Sequence, residues 1–180
     1  MRLHKAWILQ AQSDVMSANA LHQANADLCQ VLAKCQQGVE KAVKGLIESL
    51  NVIGFLKLPV DSLHHVSRFV SAMLRAAEIA PKEHRLLRRQ LLRLFPPHAQ
   101  ERIRTLDQVV PQYPKKGCLA VRNTEYPFQT SPTAWQAPCF SGVFTRGEVR
   151  RCLTTAEQVQ RGAARIISAL ERAFPDLMAP

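Results

Sequence analysis

The residues with the plainest chemical content are Arg93 and His98, an Arg-x4-His spacing with Pro96-Pro97 between them. A guanidinium can stabilise charge developing on a phosphorane, and an imidazole changes its charge near neutral pH, so the pair holds the two groups that phosphodiester cleavage needs. A solvated arginine followed by a histidine opening the next helix gives the same spacing. Around the pair, Lys82, Arg85, Arg88, Arg89, Arg93, Arg102 and Arg104 stand against only Glu83 and Glu101. Clustered arginine suits nucleic-acid or nucleotide phosphate, an acidic protein surface, or a solvated helix face. Phe95 is the one aromatic in this stretch, so base stacking has little to build on. His64-His65, at the start of the third helix, reads as a capping or packing pair rather than a metal site, so no metal is expected. Neither a glycine-rich phosphate loop nor a nucleophile motif occurs, and no cofactor is expected.

The whole chain leans the same way. Its formal net charge is +10 over 180 residues, which favours a phosphate-bearing or acidic partner over a cationic one. The cysteines (Cys29, Cys35, Cys118, Cys139 and Cys152) form no Cys-x-x-Cys pair and no secretory signal precedes them, so reduced thiols in a cytoplasm are expected. No apolar run approaches the roughly 20 residues needed to cross a bilayer.

These groups must be positioned by helices. The chain has only 7 Gly, and its apolar residues recur at helical spacing, which predicts one all-α domain over 1–180, a bundle of five to six helices. A first stripe on Leu3, Trp7, Ala11, Val15 and Ala18 is followed by a long central helix on Leu28 to Leu50, a third on Leu63 to Leu74, a short one on Lys82 to Phe95, and a fifth on Ile103 to Val110. The stretch 111–144 is proline-rich, has no sustained period and reads as a long loop. Thr145 with Glu148 three residues on is a capping box opening the last helix, on Val149 to Phe174.

The most distinctive block is Cys35-Gln36-Gln37-Gly38-Val39-Glu40-Lys41-Ala42-Val43-Lys44-Gly45-Leu46. It resembles the second helix of the HEPN family, whose pattern is a Gln-Gln pair followed by Glu-Lys-Ala-x-Lys. Trp7 with Ala11 and Asp14 resembles the family's first helix, Leu63-His64-His65-Val66 its third, and Phe144-Thr145 the entry to its last. The resemblance implies a helical bundle that dimerises. It also implies one of two activities: a metal-independent ribonuclease with an Arg-x4–6-His motif, as in toxins and defence effectors, or a non-catalytic nucleotide-binding companion of a minimal nucleotidyltransferase.

This chain carries pieces of both. In Arg122-Asn123-Thr124-Glu125-Tyr126-Pro127-Phe128, Arg122-Asn123 resembles the opening of the nuclease motif, but Pro127 stands where the histidine should be. Tyr126-Pro127 resembles the binding type, with Phe128 in place of the usual Asp. The leading expectation is therefore non-catalytic binding of nucleotide or RNA by Lys41, Lys44, Arg122, Asn123 and Tyr126, in a homodimer partnered by a nucleotidyltransferase. The alternative is RNA cleavage through Arg122 or through the Arg93 and His98 pair, and a structural interaction module is a third reading. Tyr126 is also open to a purely structural reading, in which a proline-stiffened turn packs it on the core.

Overall fold

The helices begin and end where the sequence changes its chemistry. In the computed structural model, residues 1–60, 65–109, 124–131, 133–140 and 142–178 are described. Helix α1 is Leu3–Gln23, α2 Leu28–Val52 and α3 Val66–Ile79; a 3-10 turn at Lys82–His84 leads into α4, Arg85–Leu94, and α5 follows at Pro97–Gln108. A hairpin of β1, Phe128–Ser131, and β2, Ala134–Gln136, precedes α6, Arg146–Ala173, and the single turn α7, Pro175–Met178. The all-α expectation holds. Among the described residues there are seven α-helices, because the four-residue α7 follows the expected last helix.

The hairpin corrects the reading of 111–144 as loop throughout. Phe128 pairs with Gln136 and Gln129 with Trp135 in an antiparallel ladder. Strands of four and three residues are too short to display a period of two in sequence. Of this segment Phe128, Val143 and Phe144 pack into the core, whereas Tyr126 is 37% exposed.

Helix α2 is the centre of the bundle, packed on α1 along one side and on α6 along the other. Its contact with α1 is made close by glycine. A Cβ on Gly38 would lie 2.8 Å from Val15 Cγ2, and one on Gly45 would lie 3.0 Å from the His4 carbonyl oxygen. The small residues of the Gln-Gln-Gly to Lys-Gly block thus have a packing reason. This approach also sets which face of α1 is buried. Ala11, Val15 and Ala18 are in the core as expected, but Leu3 is 53% exposed and the polar His4 and Asp14 are buried instead. Their burial is matched by partners. His4 Nε2 lies 3.2 Å from Glu171 on α6, and Asp14 pairs with Lys34 at 3.1 Å and with Lys41. Burial alone would push the Glu171 carboxyl up, but hydrogen bonds and charge from Lys5 and His4 hold it below the ordinary range. That contact stabilises the fold at neutral pH and is lost as pH falls through the lowered value.

Helix α3 has no cap of its own. Leu63 and His64, expected in its opening turn, lie outside the described residues. The buried Asp107 of α5 supplies the cap, accepting from Val66 N at 3.0 Å and Ser67 N at 2.7 Å. Loss of an N-cap costs about 1–2 kcal/mol. Asp107→Ala is therefore expected to lower unfolding free energy by about that much in a urea titration, and a change below about 0.5 kcal/mol would show that water caps α3 equally well.

Candidate functional site

The chain reverses at Pro96-Pro97. Helix α4 ends at Leu94, Phe95 is buried, and Pro97 takes the first position of α5, where its missing N–H costs nothing. His98 accordingly sits in the first turn of α5, and the reversal brings it to the same groove as Arg93. On α4, Leu87 and Leu91 face the core, while Arg85, Arg89 and Arg93, spaced four apart, are exposed.

The opposite wall is α6. A Cβ on Gly162 would lie 2.2 Å from Leu94 Cδ1, so the end of α4 seats directly on the glycine. That approach sets Arg93 across from Arg161 and Arg165, with Gln158 beside them, around a groove of about 610 Å³. Leu94, Gly162 and Ile166 form its apolar floor, and neither Asp nor Glu lines it. Arg161 is held by Glu157 at 3.3 Å in an exposed pair, of the kind worth about 0–1 kcal/mol and readily exchanged for another anion. Among the described residues Arg93 and Arg165 have no ion pair. Three guanidiniums around an acid-free groove form an anion-attracting surface.

The other sequence candidates lie elsewhere. Lys41 is engaged by Asp14, and Lys44 lies 2.8 Å from Glu40 and 5.0 Å from the Trp7 ring centre, so both charges are met within the α1–α2 seam. Tyr126 stands beside the hairpin. Arg122 and Asn123 fall outside the described residues. The structure therefore brings together Arg93 and His98, and joins to them Arg161 and Arg165, which sequence reading passed over. Their signal was present: arginines four apart, opposite the apolar stripe of the last helix.

Chemically the groove has one side chain able to take up and release a proton, His98. No hydrogen bond joins it to Arg93 among the described residues. The buried thiols offer no nucleophile at neutral pH: desolvation raises Cys29 and Cys35 and pushes Cys152 up to about 11. No group of three His, Cys, Asp or Glu among the described residues is placed to hold a metal ion. No described helix is long and apolar enough to cross a membrane. Against protein-family models, curated proteins and solved structures, the chain has no match.

Proposed function

We propose that this chain binds nucleic-acid phosphate in the groove between α4 and α6, without catalysis of its own. One observation carries the reading: Arg93, Arg161 and Arg165 surround a groove that no carboxylate lines. Three contacts released from counterions predict a log–log salt slope of about −2.1 to −2.7, hence a loss of roughly 20- to 40-fold in affinity between about 50 and 200 mM salt. Fluorescence anisotropy with a labelled RNA oligonucleotide reads this directly. Affinity that does not respond to salt would remove the proposal.

A second reading has its own observation, since Arg93 and His98 share the groove. Cleavage by attack of a ribose hydroxyl needs a proton removed at the nucleophile and another delivered at the leaving oxygen. With His98 as the groove's single proton carrier, both steps would fall to one imidazole. The purified protein is therefore expected to leave RNA intact. Cleavage that disappears in His98→Ala would replace binding by catalysis.

A further inference from the structure

The outer face of α6 continues beyond the groove. Arg150, Arg161, Arg165 and Arg172 are all exposed, and their spacings of 11, 4 and 7 residues are close to whole helical turns, so the four share one face. This face lies opposite the buried Val149, Ala156, Val159, Ala163 and Ile167. At 1.5 Å per residue the row is roughly 33 Å long and as straight as the helix that carries it. Between the arginines stand Thr154, Gln158 and Ser168, likewise exposed, together with Glu157, whose carboxylate pairs with Arg161 at 3.3 Å and accepts from Asn19 Nδ2 at 2.9 Å; no aromatic side chain joins them. Arg150, Arg165 and Arg172 have no ion pair among the described residues.

We infer that this face takes double-stranded RNA across its minor groove; the inference rests on the nucleic-acid reading above and specifies the substrate. A single strand gains affinity mainly from bases stacked on aromatic rings, and the row offers none. A duplex instead presents a dense, rigid array of phosphates that fixed charges on a rigid helix can meet without ordering either partner. A-form RNA has a wide, shallow minor groove edged by phosphates and floored by ribose hydroxyls. Arg150 and Arg161 stand roughly 16 Å apart along the axis, with Thr154 and Gln158 between them. Arginines at either side address phosphate, and the uncharged side chains between them can bond the 2′-hydroxyls. The Thr154 hydroxyl donates to the Arg150 carbonyl at 3.0 Å, which leaves its oxygen free to accept.

The test compares anisotropy for a duplex RNA of about 20 base pairs, the same sequence as duplex DNA, and its single strand, at about 150 mM salt. Duplex RNA is expected to bind roughly tenfold more tightly than either of the others. Arg150→Gln with Arg172→Gln should weaken duplex RNA by roughly 30-fold while binding of a trinucleotide in the groove is retained. Thr154→Ala with Gln158→Ala should bring RNA and DNA duplexes to similar affinity. Single-stranded RNA bound as tightly as the duplex, or wild-type affinity for duplex in the Arg150/Arg172 variant, would overturn the inference and leave the groove reading standing. Failure of all three probes and of the trinucleotide to bind would remove both.

Discussion

Gly45→Val is expected to destabilise the protein by about 3 kcal/mol or more, as a fall in the urea midpoint with little change in slope. At that position a Cβ meets three atoms at once: the His4 carbonyl oxygen at 3.0 Å, Ile8 Cγ1 at 3.1 Å and Trp7 Cβ at 3.2 Å. The first is backbone and Trp7 Cβ is fixed to backbone, so a rotamer change could move only the Ile8 atom and would leave the other two contacts in place. Separation of α1 from α2 would relieve it, but would also loosen Asp14 from Lys34 and Lys41. The generic effect of replacing a helical glycine runs the other way, because Gly is about 1 kcal/mol poorer than Ala in a helix. Gly147 isolates that effect, since the nearest atom to its Cβ is Arg151 Nη1 at 3.5 Å. Gly147→Ala should accordingly be neutral or stabilising by up to about 1 kcal/mol. Stability unchanged in Gly45→Val would mean that the Gln-Gln-Gly to Lys-Gly block is not spaced by packing.

The contrast between these glycines marks how far the sequence reaches. Local chemistry was legible: Thr145 and Glu148 form the capping box that their spacing announces, and the apolar positions of α2 are buried where the period puts them. Contacts between distant residues were not. Asp107 caps α3 from 41 residues away, and Lys41, an apparent phosphate ligand by its motif, spends its charge on an aspartate of α1. A lysine's availability depends on its neighbours in space, and a motif does not contain them. The groove was hidden for a related reason. The contiguous basic stretch 82–104 stands out along the chain, yet it supplies only one wall. Arg161 and Arg165 are dispersed at helical spacing, and their meeting with Arg93 depends on Gly162 and on the reversal at Pro96-Pro97.

Reversal of the charge on that second wall should have the largest effect on binding. Arg161→Glu with Arg165→Glu is expected to weaken RNA binding by at least about 100-fold at about 100 mM salt, and to flatten the salt slope by about 1.4–1.8. Counterion release assigns roughly 1 kcal/mol to each phosphate contact under those conditions, and each glutamate adds repulsion of about the same size across a few ångströms of water. The fold should tolerate the change, because both positions are exposed. The main structural cost is local: residue 161 would oppose Glu157 one turn away, where like charges cost a few tenths of a kcal/mol. An unchanged melting temperature together with lost affinity would therefore place the binding energy in the groove itself. If affinity instead survives the double reversal, phosphate is held elsewhere, and the acid-free groove between α4 and α6 is a solvated surface.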